Sequence, residues 1–249
     1  MNKLVRFIRA LSSLVNPKTW GVFTETYEHT KFNAAFSISY SQGAEDISLL
    51  LTALADQRLS KTEEKTYIDV GAHDPNRFSV TRRLYDIGWH GVNIDANKDL
   101  ASKFLKWRKR DIFIWSAVGN KPEYTFYTFE EAAISTSNPE WKDGAIRSGN
   151  KLSREEKVPG RTLRSVLDEY FPHGVGLLNI DIEGNDDDAL MSLGLENLTN
   201  TQKPKWLLLE TSPPVAVALE SPAVLYAISN GYTPWLVLAM GTLLKLDGN

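Results

Sequence analysis

Acidic residues stand at the carboxyl ends of the apolar segments of this 249-residue sequence, where short β-strands are predicted. Asp69, Asp95 and Glu210 lie at or beside the ends of three such segments, and Asp181 and Glu183 end a fourth. A carboxylate is costly in an apolar strand unless it holds a ligand or a hydrogen-bond donor. These five residues are therefore the first candidates for binding and catalysis.

The turn after the first of these segments, DVGAHDP from Asp69 to Pro75, indicates which ligand binds there. Its one glycine, Gly71, lets the backbone turn tightly and approach a ligand. A nicotinamide dinucleotide would need the glycines of G-x-G-x-x-G to seat its pyrophosphate at a helix N-terminus. S-adenosylmethionine has no phosphate, so the turn favours this methyl donor over a dinucleotide.

The next two segments suit the nucleoside part of such a cofactor. Asp95 follows about two dozen residues later, at a position where an acidic side chain accepts hydrogen bonds from a ribose. Ser116 and Ala117 lie near the end of the third segment, and their small side chains leave room for a flat adenine ring.

Asp181 and Glu183 are the candidates for chemistry. Alternation along a strand puts both on one face, where they suit a general base, a metal pair, or contacts to the positive end of the cofactor. A hydroxyl is a poor nucleophile at neutral pH, so either a carboxylate takes its proton or a divalent cation such as Mg²⁺ lowers its pKa. Asp181 and Glu210 are candidate metal ligands, although no tight ligand-spacing motif is present, and both routes stay open. His73 is a further candidate base, or else a residue that stabilises its turn.

The elements that position these residues alternate between strands and helices. This alternation predicts right-handed crossovers and a mostly parallel sheet with helices on both faces. Two terminal segments around Gly241 predict a closing antiparallel hairpin, which fits the Rossmann-like sheet of class I methyltransferases better than a plain dinucleotide fold. The predicted strands are Thr66–Val70, Gly91–Asp95, Ile112–Val118, Tyr124–Phe129, Val175–Ile182, Trp206–Glu210, Thr233–Leu238 and Leu243–Leu246, and the predicted helices include Glu45–Leu59, Ser79–Ile87, Lys98–Lys106 and one that Thr162 caps.

An N-terminal extension, residues 1–39, precedes a domain predicted over residues 40–249. In it, Leu4, Phe7, Ile8 and Leu11 recur at helical spacing with basic residues between them. Two interpretations stay open: a basic amphipathic helix that lies on a membrane surface, or a helix that packs on its own domain or on a partner subunit. The oligomeric state also stays open.

Composition excludes several classes of protein. The net charge of −3 gives no broad positive field for nucleic acid. The absence of cysteine excludes disulfides, thiolate nucleophiles and cysteine–metal sites, and it permits a cytoplasmic location. No apolar run is long enough to span a bilayer.

Five motifs, in this order, resemble the FkbM family of methyltransferases. They are YSQGAED from Tyr40, YIDVGAHDP from Tyr67, the S-x-T-x-x-x-Y-x-x-G-W-x-G run from Ser79, the pair Thr162-Leu163, and LNIDIEGND from Leu178. The resemblance implies a class I methyltransferase fold, S-adenosylmethionine as cofactor, and a carbohydrate acceptor, because members commonly O-methylate sugars in polysaccharides, glycolipids and antibiotics.

The resemblance also implies roles for individual residues. Asp181 and Glu183 would lie in the active site, with His73 close by. The residues expected around the cofactor are Asp69, Gly71, Ala72, Asp74, Asp95, Ala96, Ser116, Ala117 and Asp181. The residues expected to contact the acceptor are Tyr40, Gln42 and Trp141.

A polar stretch from Glu131 to Pro159 divides the pattern into two halves. Loops of this length are functional or disordered. One interpretation is a substrate lid, in which Trp141 stacks on a sugar face and nearby basic residues meet phosphate. The other is an exposed polar loop.

This sequence departs from the family pattern at two positions. Asp95-Ala96 stands where the family often has Glu-Pro, which shortens the reach to the ribose, and Asn179 stands where it usually has Lys. Two alternatives remain. A NAD-dependent nucleotide-sugar oxidoreductase is disfavoured by the missing glycines, and a non-catalytic partner protein is disfavoured by the intact strand-end acids.

Overall fold

The predicted sheet forms the centre of the fold. The computed structural model describes residues 39–55 and 65–248. Its strands are β1 (Thr66–Val70), β2 (His90–Asp95), β3 (Ile112–Trp115), β4 (Ala117–Val118), β5 (Glu123–Phe129), β6 (Leu152–Arg161), β7 (Leu177–Ile180), β8 (Trp206–Glu210), β9 (Tyr232–Val237) and β10 (Gly241–Leu246).

Seven of these strands form one sheet in the order β3-β2-β1-β7-β8-β10-β9. The first five in that order are parallel, and β10 is antiparallel to both β8 and β9. The predicted fold class, a mostly parallel α/β sheet with an antiparallel C-terminal hairpin, is confirmed. The strand order reverses between β1 and β7, and ligands bind beyond the carboxyl ends of the strands at such a point.

Helices cover both faces of this sheet, as predicted. They are α1 (Glu45–Ala55), α2 (Arg82–Asp86), α3 (Ala101–Trp107), α4 (Pro139–Arg147), α5 (Leu163–Tyr170), α6 (Asp186–Met191), α7 (Val215–Leu219) and α8 (Pro222–Ser229), with 3₁₀ turns at Lys98–Leu100, Ala132–Ile134 and Leu195–Asn197. Alternation along β1 sends Ile68 and Val70 into an apolar cluster with α5, α6 and α8. Tyr67 points to the other face and packs with Leu49 of α1 and Leu84 of α2.

Most predicted bounds shift by one or two residues, and three predicted elements change more. The third predicted strand breaks at Ser116, whose hydroxyl donates to the carbonyl oxygen of Pro159 at 2.9 Å. As a result β3 joins the large sheet, and β4 joins a second sheet in the order β4-β6-β5. The helix predicted from Ser79 shortens to α2, and β7 ends at Ile180, so Asp181 and Glu183 follow the strand rather than lie in it.

The polar stretch from Glu131 to Pro159 is ordered structure, so its interpretation as a long loop is wrong. It contains a 3₁₀ turn, α4 and most of β6, which pairs antiparallel with β5 along its length. Asn138 begins α4 by accepting hydrogen bonds from the backbone N–H groups of Glu140 and Trp141 at 2.9 and 3.2 Å. The polar side chains of β6 form ion pairs, including Arg154 with Glu156 at 2.8 Å.

The predicted N-terminal helix lies outside the described residues, so its two interpretations and the domain boundary stay predictions. Among the helices that are described, none has the length and apolar character needed to cross a membrane.

Candidate active site

Two adjoining cavities lie where the strand order reverses. The first, of about 580 Å³, extends from Gly71 after β1 to Asp95 and Ala96 at the end of β2. The second, of about 640 Å³, extends from Gln42 to Glu210 at the end of β8. The two cavities share the lining residues Gly71, His73, Ala133, Asp181 and Glu183.

Gly71 is required by the close approach of two chain segments. Its φ is +79°, and a Cβ atom there would lie 1.7 Å from the carbonyl oxygen of Asp181. The two segments are also joined by the backbone N–H of Asp181, which donates to the carbonyl oxygen of Val70 at 3.1 Å. The glycine therefore lets the turn after β1 and the segment after β7 meet at the cavity wall.

Asp95 lines the first cavity with both carboxylate oxygens held by backbone donors. Oδ2 accepts from the backbone N–H of His73 at 2.9 Å, and Oδ1 accepts from that of Asn97 at 2.7 Å. Each oxygen keeps a lone pair for a ligand. Burial raises the pKa of Asp95 to about 6. Small residues line the cavity beside it, as predicted for a nucleoside slot: Ala96, Ser116 and Ala117.

Asp69 lies behind this site and lines neither cavity. It is 2% exposed, and its two oxygens accept from Thr81 Oγ1 at 2.6 Å and from Asn179 Nδ2 at 2.8 Å. Thr81 in turn accepts from Arg108 Nη2 at 2.8 Å. These bonds form a buried network that ties β1 to β7 and α2, and the predicted contact of Asp69 to the cofactor stays a prediction.

Nothing in the sequence marked the residues at the centre of this network. Arg108 and Asp111 form a fully buried ion pair at 2.8 Å, and Arg108 also donates to the hydroxyl of Tyr67 at 2.7 Å. An Arg and an Asp three residues apart are commonplace on protein surfaces, so only the fold shows that both are buried.

A cluster of carboxylates stands where the two cavities meet. Ile180 pairs with Leu209 across β7 and β8, so the next residues, Asp181 and Glu210, emerge side by side. One carboxylate oxygen from each of Asp181, Glu183 and Glu210 lies within 4.8 Å of the other two. The predicted convergence of Asp181 with Glu183 is observed, although a left-handed residue (Glu183, φ +58°) produces it rather than strand alternation.

The pKa values of these three carboxylates are unusually high. Burial and then the repulsion from Glu210 raise the pKa of Asp181 well above its ordinary range. Burial and then the repulsion from Asp181 raise the pKa of Glu183 to about 8. Burial and the charge of Asp186 raise the pKa of Glu210 as well. The cluster therefore holds protons near neutral pH unless a cation neutralises it.

A comparison with known families decides what kind of protein has this site. The sequence profile of the methyltransferase FkbM domain matches residues 69–217, which is more than half of the chain. The chain belongs to the FkbM methyltransferase family. It is thus a methyltransferase, and S-adenosylmethionine is the usual methyl donor of the family.

The other comparisons add little to this assignment. A solved structure of a DUF574 family protein from Streptomyces avermitilis is similar over 82% of this chain and 83% of its own, with 12% identity and a TM-score of 0.37. The fold assignment does not depend on that likeness. No curated protein matches the chain in sequence.

His73 of this FkbM methyltransferase lines both cavities. Its φ is +48°, and its ring stacks on Phe78 with centroids 6.1 Å apart. Burial, and next the charge of Arg77, lower the pKa of His73, so the imidazole is neutral at pH 7. Its backbone N–H holds Asp95, so the residue stabilises its turn and also presents its ring to the site; its role as a base stays a prediction.

Of the predicted acceptor contacts in this methyltransferase, only Gln42 lines a cavity, the second one. The ring of Tyr40 lies under the guanidinium groups of Arg82 and Arg83 at 5.4 and 5.2 Å. Trp141 is 42% exposed on α4. Stacking of Trp141 on a sugar stays a prediction.

Two residues predicted to bind the cofactor, Ala72 and Asp74, stabilise the turn after β1 and line neither cavity. Ala72 is 3% exposed and packs with Leu100 and Phe104. Asp74 accepts from the backbone N–H of Asn76 at 2.9 Å and pairs with Lys103 at 2.7 Å.

Sequence reasoning missed Glu45, which lines the second cavity. Glu45 is 4% exposed, and its Oε1 has no hydrogen-bond partner in the described part of the chain. Its position in the YSQGAED motif and in the first turn of α1 suggested a helix-start residue. An acid in a first turn is ordinary, so nothing in the sequence marked it for a site.

The segment from Thr136 to Asn138 anchors the turn that carries Glu183. Thr136 Oγ1 donates to the carbonyl oxygen of Glu183 at 2.8 Å, and Asn138 Nδ2 donates to that of Gly184 at 2.6 Å. The stretch predicted as a lid thus contains a fixed support for a candidate catalytic residue.

Proposed function

We propose that this methyltransferase transfers a methyl group from S-adenosylmethionine to a sugar hydroxyl of a glycan, a glycolipid or a nucleotide-linked sugar. The observation that carries the proposal is the meeting of two cavities at Asp181 and Glu183. A donor in the first cavity and an acceptor in the second would both touch these carboxylates. Holding two reactants in this way supplies much of the rate of a transfer reaction.

The residues of the first cavity fit S-adenosylmethionine. Asp95 has acceptor capacity for ribose hydroxyls, the small side chains around Ala117 leave a narrow slot, and Gly71 keeps the turn open toward Asp181. When bound, the cofactor supplies an electrophilic methyl carbon: a C–O bond forms to the acceptor oxygen, the C–S bond breaks with its electron pair left on sulfur, and the hydroxyl proton is released.

The second cavity supports a polar acceptor. Its wall includes the amide of Gln42 and the carboxylates of Glu183 and Glu210, which are groups that accept hydrogen bonds from sugar hydroxyls. As the pH approaches 8, Glu183 loses its own proton, and its carboxylate, a stronger base than that of an ordinary glutamate, would then take the acceptor proton. Removal of that proton with the help of a divalent cation at Asp181 and Glu210 is the other route.

The setting of the reaction follows from the same proposal. A net charge of −3 supports a carbohydrate rather than a nucleic-acid partner. We place the enzyme in the cytoplasm, with contact to a membrane surface through the helix predicted in its N-terminal extension if the acceptor is linked to a lipid.

Calorimetric titration with S-adenosylhomocysteine tests the cofactor part. We expect micromolar binding, about 8 kcal/mol, which Asp95→Ala abolishes. Asp99→Ala serves as the control because Asp99 is exposed and lies outside both cavities. Binding of NAD in place of S-adenosylhomocysteine would overturn the proposal.

Methyl-labelled donor, offered with nucleotide sugars, glycolipids and polysaccharides, then tests the acceptor. Label in none of them would refute the sugar assignment.

A further inference from the structure

We propose that the second cavity binds one divalent metal ion through Asp181, Glu183 and Glu210. This inference deepens the proposed function and rests on it, since the ion would bind the acceptor hydroxyl beside the methyl donor. It commits the enzyme to one of the two routes for activating that hydroxyl.

The geometry of the three carboxylates suits a single ion. Their nearest oxygens all lie within 4.8 Å of one another. Oxygen ligands bind Mg²⁺ and Ca²⁺ at about 2.0–2.6 Å, so two oxygens on opposite sides of one ion lie about 4–5 Å apart. One ion can therefore contact all three side chains without a change in the backbone.

Glu45 provides a second and independent observation. It lines the same cavity from the first turn of α1 and is 4% exposed. Oε2 accepts from the backbone N–H of Gly43 at 3.0 Å, while Oε1 has no partner in the described part of the chain. An unsatisfied buried carboxylate oxygen is costly, and a water bound to a cation in the cavity would satisfy it.

The charge of the second cavity also favours a bound cation. Four carboxylates line it, those of Glu45, Asp181, Glu183 and Glu210, and no lysine or arginine is among the lining residues. Within residues 39–55 and 65–248, none of the four forms an ion pair. The described residues therefore bring no lysine or arginine charge to the site, and a divalent ion would supply positive charge there.

Three protein ligands leave positions open on the ion. An octahedral Mg²⁺ would keep about three sites for water and acceptor. An acceptor hydroxyl on one of these sites loses its proton more readily, and the adjoining first cavity lies within reach of Asp181 and Glu183, which line both cavities.

Titration of the full chain with Mn²⁺, followed by the paramagnetic resonance signal of the free ion, tests the site directly. We expect one saturable Mn²⁺ per chain, displaced by Mg²⁺. Glu210→Gln should abolish saturable binding, and Glu45→Gln should weaken it by about tenfold, as for other residues that act around a metal. The matched control is Glu220→Gln, which makes the same change at an exposed residue outside the cavity and should leave Mn²⁺ affinity unchanged.

Binding of S-adenosylhomocysteine in the presence of a chelator separates the two proposals and reports that each variant is folded. If the wild type binds S-adenosylhomocysteine but no saturable Mn²⁺, the metal inference is overturned and the cofactor proposal stands. An equal loss of Mn²⁺ affinity in Glu210→Gln and Glu220→Gln would also overturn the metal inference. Should Glu210→Gln fail to fold, Glu45→Gln, which removes no direct ligand, provides the test: unchanged Mn²⁺ affinity in that variant would overturn the metal inference.

Discussion

Two aspartates at the ends of neighbouring strands have different roles, although they look alike in the sequence. Asp69 pairs in register with Asn179 of β7, and a side chain from that strand and one from Thr81 take both its oxygens. Asp95 meets backbone donors instead and stays open to the first cavity. The difference arises from partners that are distant in the chain, so the residue type alone does not reveal it.

We expect Asp69→Ala to act on stability rather than on cofactor binding. The substitution leaves the buried hydroxyl of Thr81 and the amide of Asn179 without their acceptor, which costs about 2–4 kcal/mol of the free energy of unfolding. Urea unfolding measures this loss, with Asp99→Ala as the exposed control. The affinity of the folded variant for S-adenosylhomocysteine should stay near that of the wild type. A selective loss of that affinity with unchanged stability would instead restore Asp69 to the cofactor site.

Asp95 should make cofactor binding depend on pH. Its pKa of about 6 means that the carboxylate takes up a proton as the pH falls through 6. Protonation removes the charge that favours acceptance from ribose hydroxyls. At pH 5 about a tenth of the carboxylate is ionised, so affinity for S-adenosylhomocysteine should be about tenfold weaker than at pH 7.5. Calorimetry at both pH values checks this. Asp95→Asn should bind S-adenosylhomocysteine weakly at both pH values. An equally steep pH dependence of the affinity in that variant would assign the titration to another group.

At the scale of elements, the segment between β5 and α4 supports the turn that carries Glu183. Thr136 forms an isolated β-bridge with Tyr127 of β5, and its hydroxyl holds the carbonyl oxygen of Glu183. The left-handed conformation at Glu183 is costly for a residue other than glycine. We infer that this support from the second sheet stabilises it.

A pair of valine substitutions tests that support. Thr136→Val removes the hydrogen bond to Glu183 and should lower the free energy of unfolding by about 1 kcal/mol. The matched change, Thr128→Val, removes a buried hydroxyl that has no partner in the described residues and should cost nothing. Urea unfolding of both variants compares them directly. Equal stabilities would mean that the Thr136 bond does not hold the turn.

For the whole molecule, hydrophobic patterning was enough to predict the large sheet and its hairpin. Strands such as Trp206–Glu210 are apolar up to their last residue because both faces are buried. The second sheet was not predictable in this way, because β6 has no apolar face. Neighbouring residues such as Glu155 and Glu156 put charged side chains on both faces of the strand. The site was predictable from strand ends, since any parallel sheet brings them to one edge, whereas the burial of Glu45 depends on how α1 packs against that edge.

The described part of the site occupies only part of the chain. Within residues 39–55 and 65–248, every residue that lines the two cavities lies between Gln42 and Met240, and the seven-stranded sheet lies between Thr66 and Leu246. Removal of residues 1–38 should therefore leave the affinity for S-adenosylhomocysteine unchanged. Calorimetry of the shortened and full-length chains measures this, and co-sedimentation with anionic vesicles shows in parallel whether the removed segment binds a membrane surface. A folded but non-binding shortened chain would contradict this expectation and would mean that residues 1–38 complete the site.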